Sequence, residues 1–268
     1  MPDITDLIGR WWKQMLGVFL LSVLAVGVIT FLKPRQYLSI ATAVPASSFA
    51  ADKSKIFSDN VQSLYSALGT PDDLDRVLGT SKLDTVYLAV TDAFNLFDHY
   101  KMKETGPSAR IRAAWRLKKN TTVMKSEYGE LKVKTWDTDK DLAPQLANAL
   151  MNQLQSIHQH LQSAGNEATL YGLIKGKKRL QVRLDSAAGL VPDNKNQLQN
   201  QVLQYEKLIS EYQLLVDSKP PSLIVVEKAT ASLHPDKPQR VKILVATALL
   251  SLLFSLLAAL VLDRPKAV

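Results

Sequence analysis

Two uncharged runs, one near each end of the chain, limit what this sequence can fold into more than any other feature. Ile243 to Leu262 is twenty residues without a charge, and at about 1.5 Å per residue such a helix crosses a hydrocarbon core of roughly 30 Å. Met15 to Leu32 is a second run, of eighteen. Trp11 and Trp12 precede it where an interfacial aromatic belt would sit, between Arg10 and Lys13. Transmembrane helices are therefore predicted at 15–32 and 243–262. Tails at 1–14 and 263–268 then lie on one side of the membrane and everything between lies on the other. Ala41-Thr-Ala43 resembles a signal-cleavage site, but it falls well beyond an apolar run already longer than the roughly 7 to 15 residues of a signal peptide. Bases flank both faces of the spans, so charge alone does not orient them. Within the last span Thr247, Ser251, Ser255 and Ala259 repeat every four residues, a small-residue face for membrane-helix packing. Ser and Ala are also common in any membrane helix, and both readings stand.

About 210 residues between the spans leave room for one or two domains, and we read one domain with a long helical extension. The chain has no cysteine, which excludes disulfides, thiolate nucleophiles and cysteine-ligated metals. Leaving aside the terminal tails, 29 bases face 22 acids. That excess suits an acidic polymer or a phospholipid surface, and equally a solvated basic surface.

The fold class predicted is α+β. A small base domain covers 33–137, a long helical hairpin 138–217, and a returning strand with a proline-spaced linker 218–242. Leu38 to Val44 alternates as a strand does, and β-branched Ser222 to Glu227 is placed to pair with it, since the spans tether both near the membrane. Helical faces follow at 56–68, from Leu74, at 85–97 and at 109–118. The last is read with Ile111, Ala114 and Trp115 on its apolar side and arginines opposite. Residues 121–125 and 131–135 read as a hairpin across Tyr128-Gly129, and Asp137, Asp139 and Asp141 as the cap of the next helix. That helix carries a seam at Leu150, Leu154, Ile157, Leu161, Ala164, Ala168 and Tyr171 and a less regular continuation through Leu173, Leu180, Leu184 and Ala187, with Gly165, Gly172 and Gly176 as weak points. Pro192 to Asn196 reads as a turn. Leu198, Val202, Tyr205, Ile209, Tyr212 and Val216 then form a second seam for hairpin or oligomer packing. The outgoing arm is about twice as long as the return, so it is expected to bend or fold back.

No catalytic constellation is found. Gly172-Leu-Ile-Lys-Gly176-Lys177-Lys178 falls one residue short of a phosphate loop, lacks its Ser or Thr, and follows a helix rather than a strand. His158 and His160 are two apart on a helix, point to different faces, and read as solvated positions rather than metal ligands. Neither cofactor nor metal is expected. Two basic clusters stand out: Arg110, Arg112, Arg116, Lys118 and Lys119, and Lys175, Lys177, Lys178, Arg179 and Arg183. Both read as contacts for an anionic glycan or lipid pyrophosphate, the second being the candidate chosen, and solubility or pairing with acids such as Glu206 and Glu211 competes with that reading. Nucleic acid is excluded as a partner because aromatic residues do not interleave with the bases.

Taken together, the Pro34-x-x-Tyr37 entry, the strand and acidic turn from Leu131 to Asp141, and Val225-Val-Glu-Lys-Ala229 through Pro235-x-x-Pro238-x-Arg240 into the final span resemble the polysaccharide co-polymerase, or chain-length determinant (Wzz), family. The resemblance runs over essentially the whole chain. One departure is a last span with Ser and Ala where glycines are usual. Only six residues follow Leu262, so a form without the fused kinase domain of some relatives is expected. The resemblance implies a two-pass protein of the bacterial inner membrane with a periplasmic main domain. It would form a homo-oligomer and set the modal length of a surface polysaccharide (O-antigen, capsule or exopolysaccharide) alongside a membrane polymerase, without being an enzyme. Lipid bilayer, polymerase and the polysaccharide or its lipid-linked form are the implied partners, with Pro235 and Pro238 as the linker. The alternative is a membrane-anchored adaptor or tether whose hairpin binds a protein.

Overall fold

The computed structural model describes residues 4–46, 71–103, 106–186 and 192–262. The chain divides into two compact units: Met1–Leu38 with Asp137–Lys140 and Ser232–Val268, and Ser39–Trp136 with Asp141–Ala231.

The first unit is built on two helices, α1 (Ile4–Leu32) and α8 (Arg240–Leu262), each long and apolar enough to cross a membrane. They run antiparallel, since Arg240 lies 4.5 Å over the Phe31 ring while a side chain at Gly27 would meet Leu244. α1 begins eleven residues before the uncharged run, taking Trp11, Trp12 and Arg10 into the helix.

In the second unit, β1 (Tyr37–Pro45), α2 (Pro71–Ser81), α3 (Asp84–Ala93), α4 (Leu96–His99), α5 (Pro107–Lys119), β2 (Thr121–Lys125), β3 (Leu131–Asp137), α6 (Leu142–Asp185), α7 (Pro192–Ser218) and β4 (Leu223–Glu227) follow in order. The helix predicted at 56–68 lies outside the described residues. The sheet order is β2-β3-β1-β4. β2 and β3 form the predicted hairpin, paired from Thr121 opposite Thr135 to Lys125 opposite Leu131. Its turn needs Gly129 at φ 76°, a conformation that costs glycine nothing. β1 and β4 pair antiparallel, Val44 opposite Ile224 and Pro45 opposite Leu223, with an irregularity at Thr42/Ala43. The first strand and the last thus lie side by side, as their tethering to the two spans predicted.

Helix boundaries follow local chemistry. Gly106 at φ 73° and Pro107 at the first helical position open α5, where the missing N–H of proline costs nothing. The same logic corrects the expected turn at 192–196, because α7 begins on Pro192 itself. The acidic run before α6 works differently from the predicted cap. Asp141 holds the N-cap position without a side-chain cap bond, and Asp137 Oδ1 instead accepts the Asp139 N–H at 2.9 Å.

The core lies where α2, α3, α5 and the start of α6 cover the sheet: Leu74, Val86, Leu96, Leu117, Leu131, Val133, Leu146, Leu150 and Leu154 are all buried. α5 enters it through Ala109, Ala113, Ala114 and Leu117. The expected apolar side was wrong there, because Ile111 and Trp115 are 59% and 64% exposed and share the surface with the arginines. Small alanines let α5 lie close to its neighbours, which leaves the bulky residues outside.

α6 spans 44 residues, about 66 Å, against 27 residues and about 40 Å for α7. The mismatch needs neither bend nor fold-back. The first turns of α6 belong to the core, and only from Gln159 onward, whose Nε2 donates to Lys219 O at 2.6 Å, does α7 run beside it. Replacing Leu150 with Ala should therefore cost about 2–5 kcal/mol, whereas Leu161→Ala, at a position 61% exposed, should stay within about 0.5 kcal/mol. Thermal unfolding of the two variants in detergent checks this, and equal losses would contradict the division of α6.

Candidate functional site

The candidate residues fall in three places: the paired entry and exit segments next to the spans in sequence, the spans themselves, and the α6–α7 arm. At the first, the Pro34-x-x-Tyr37 entry and the Pro235-x-x-Pro238 exit are bonded to each other. Gln36 N–H donates to Lys237 O at 2.9 Å, and the N–H groups of Asp236 and Lys237 donate to Gln36 O at 2.9 and 3.3 Å. Proline supplies no N–H, so the pairing falls on the residues just outside each proline. Pro235 is exposed and Pro238 half-buried. Arg35, Asp236, Lys237, Arg240 and Lys242 line a cleft of about 470 Å³ here, four cations and one carboxylate.

On the chain's return from β4, Asn148 of α6 brackets Ala229, donating Nδ2 to its carbonyl at 3.1 Å and accepting its N–H at 2.8 Å. Ser39 Oγ donates to the next carbonyl, Thr230, at 2.9 Å. These polar clamps escaped the sequence reading because a single Asn on a helix carries no pattern.

Along α8 the buried residues are Ser251, Ser255 and Ala259, with Thr247 half-buried. Their hydroxyls are satisfied within the helix, Ser251 to Ala248 O and Ser255 to Leu252 O at 2.9 Å each, and Thr247 to Ile243 O at 2.8 Å. The small face lies against α1, and Val245, Leu249, Leu253, Phe254 and Val261 point outward.

In the arm, Leu198, Val202, Tyr205, Ile209, Tyr212 and Val216 are each half-buried. The opposing side of α6 is the predicted continuation through Leu173, Leu180 and Leu184 rather than the regular seam before it. Beyond Ile157 the inward positions are Leu170, Leu173, Lys177, Leu180 and Leu184, whereas Leu161 and Tyr171 are 61% and 71% exposed and Ala164 and Ala168 also face out. Sixteen residues separate Leu154 from Leu170, and at 100° each this turns the helix by about 160°. Leu173, Lys177, Leu180 and Leu184 lie about 80–140° round from Leu154 by the same measure, so α6 meets the core and α7 on different sides. Gly176 belongs to the α7 side: a Cβ there would lie 2.5 Å from the Tyr205 ring. The glycine that looked like a phosphate-loop remnant is a seat for an aromatic ring. Of the second basic cluster, Lys177 pairs with Glu206 at 2.8 Å, while Lys175, Lys178, Arg179 and Arg183 are exposed.

A further cleft, of about 630 Å³, opens between α2 and α6, lined by Asp73, Arg76, Thr80, Leu83, His158 and Leu161 among others. His158 is half-buried rather than solvated as predicted, and His160 is exposed. Thr80 Oγ1 donates to Arg76 O at 3.1 Å and lies 2.9 Å from His158 Nε2. Burial, with Arg76 adding to it, holds the His158 pKa below its ordinary 6.5. Among the described residues no group of three or more His, Asp or Glu is placed to hold a metal.

No family model and no curated protein matches the chain. Among solved structures, it is similar to one described as a full-length bacterial polysaccharide co-polymerase, with a TM-score of 0.42 and 11% identity over 100% of both chains. It is also similar to a fragment of WzzB, polysaccharide co-polymerase from Salmonella Typhimurium, with a TM-score of 0.40 and 14% identity over 76% of this chain and 100% of that one.

Two outcomes are expected. Gly176→Ala should destabilise the arm, by about 1–3 kcal/mol of overpacking less up to about 1 kcal/mol of helix propensity. Gly172→Ala, which meets nothing within 4 Å, should gain the propensity alone, so melting temperatures that rise in both variants would refute the Tyr205 seat. For His158, a depressed folded pKa means that the unfolded chain binds the proton more readily. Stability should then be full above pH 6.5 and fall as the pH drops below it. His158→Gln should flatten the difference in melting temperature between pH 7.5 and 5.5.

Proposed function

We infer that this chain is a membrane-anchored, non-catalytic co-polymerase: a homo-oligomer of the bacterial inner membrane, its main domain periplasmic, that regulates the modal length of a surface polysaccharide together with a membrane polymerase. The observation that carries the reading is the bonding of Gln36 to Asp236 and Lys237. It joins the two segments that carry the family resemblance beside a pair of membrane-long helices. The motifs thus act as one element at the point where both spans meet the rest of the chain.

Oligomerisation is supported by the outward side of α6. Leu161, Tyr171, Ile174 and Val182 are 49–71% exposed, an apolar stripe that calls for a cover in solution. In this reading the cover is a neighbouring subunit. The seam from Leu198 to Val216 holds α7 to α6, and the small face of α8 holds the spans together. The exposed cations Lys175, Lys178, Arg179 and Arg183 are candidates for anionic polymer. The same stripe would serve the adaptor alternative, with a different protein as its cover.

Enlarging Ser255 to Leu should wedge α1 from α8 and shift or broaden the length distribution of the surface glycan at normal protein abundance. A cysteine at Ser126 should be labelled by an impermeant reagent in intact spheroplasts. If neither deletion nor Ser255→Leu altered any glycan length distribution, the co-polymerase reading would fail and the adaptor would replace it. Protection of the Ser126 site would reverse the topology.

A further inference from the structure

α5 divides its basic residues in two. Arg110 forms a two-pronged bond with Asp92, both contacts 2.6 Å, which holds the Asp92 carboxyl below its usual range. Lys118 lies 2.6 Å from Asp84. Arg112, which has an interaction of its own, Arg116 and Lys119 line a cleft of about 620 Å³ with Trp115, Met102 and Asn120. Trp115 is 64% exposed. Lys119 Nζ lies 5.5 Å from its ring centroid. Arg116 is held in place, its guanidinium 4.6 Å over the Tyr100 ring and donating to Tyr100 O at 3.5 Å. No acidic side chain lines the cleft among the described residues.

Neither stability nor solubility accounts for this arrangement. An indole left largely in water forgoes the burial that α5 could have given it in place of an alanine. Arg112 with Arg116 at i,i+4, and Arg116 with Lys119 at i,i+3, are like-charge neighbours that cost the helix a few tenths of a kcal/mol each. The volume falls in the range of small-ligand sites, about 300–1,000 Å³.

We propose that this cleft binds an anionic saccharide unit, a uronate or similarly acidic sugar, stacked on the Trp115 ring with its carboxylate held by Arg112, Arg116 and Lys119. A flat indole offers an apolar face to the C–H face of a sugar ring, and guanidinium groups take carboxylates through paired N–H donors. Single-stranded nucleic acid would call for a series of stacking rings rather than one. A lipid surface is flat where this site is concave. Trp, Met and Arg are also enriched where protein surfaces meet, so a subunit contact is the competing occupant that the oligomeric state of Trp115→Ala decides. The choice of a glycan as the polymer rests on the co-polymerase reading, but the cleft can be tested apart from it.

The test is calorimetric titration of the full chain in detergent with oligogalacturonate, beside neutral maltohexaose, inorganic phosphate and short-chain phosphatidylglycerol. Oligogalacturonate should bind, weaken about tenfold in Trp115→Ala and severalfold in Lys119→Gln, and lose affinity with rising salt. Maltohexaose should not bind at the same concentrations. Both substitutions lie on the surface, and unchanged melting temperatures keep the comparison valid. Binding unaffected by Trp115→Ala would overturn the proposal, as would full displacement by phosphate alone or preferential binding of the phosphatidylglycerol. So would a change of oligomeric state in Trp115→Ala with uronate affinity intact, which would make the ring a subunit contact. A failure in these titrations concerns the cleft only, whereas the length distributions in cells test the co-polymerase reading.

Discussion

The pairing of the chain's two approaches to the membrane is the constraint from which the rest follows. β1 lies against β4, and Gln36 is bonded to Asp236 and Lys237, so residues some two hundred positions apart are brought side by side at each of these places. Long-range closure of this kind is entropically expensive. Two paired antiparallel helices bring the ends of the intervening chain together, which lowers that cost. The Asn148 bracket on Ala229 and the Ser39 bond to Thr230 add contacts beyond β4. A displacement of one approach would have to break several backbone bonds together.

α6 is the second organising element, because one helix serves two partners at different heights. Its first turns are core, with Leu146, Leu150 and Leu154 buried; its later turns carry α7 on a different side. A rigid helix that does both fixes the arm to the core without a hinge. Gly176 lies where the Tyr205 ring needs the space, so the glycine that costs the helix propensity gains close packing there. Lys177 with Glu206, 29% and 47% exposed, adds direction more than energy, since exposed pairs contribute about 0–1 kcal/mol.

Much of this was legible in the sequence. The spans, the hairpin around Gly129, the pairing of first strand with last and the existence of two long helices all follow from charge-free length, alternation and turn chemistry. What misled was phase. The apolar steps from Leu150 to Tyr171 form one unbroken 3–4 series, and periodicity cannot say which partner each residue meets. Beyond Ile157 the helix changes partner and the series runs on into solvent, while the inward series Leu170, Leu173, Leu180 and Leu184 looked irregular because Lys177 interrupts it. α5 misled for a related reason. Hydrophobic size pointed to Ile111 and Trp115, but close packing selected the alanines. Asn148, Gln36 and His158 act through single hydrogen bonds or burial and leave no repeat to read.

The burial of the small face of α8 changes how coupling to another membrane protein must work. Ser251, Ser255 and Ala259 are consumed within the chain, and their hydroxyls are bonded to their own helix, so they offer a partner neither a groove nor a donor. What α8 presents outward is bulky: Leu249, Leu253, Phe254 and Val261 are each more than half exposed. Lipid gives such residues no hydrophobic drive to associate, and a partner helix would gain from them only through shape. A membrane partner of the kind proposed would therefore fit against the bulky apolar side, or meet the cleft lined by Arg35, Asp236, Lys237, Arg240 and Lys242. That cleft is formed by the bonded entry and exit segments themselves, so a contact there would touch both.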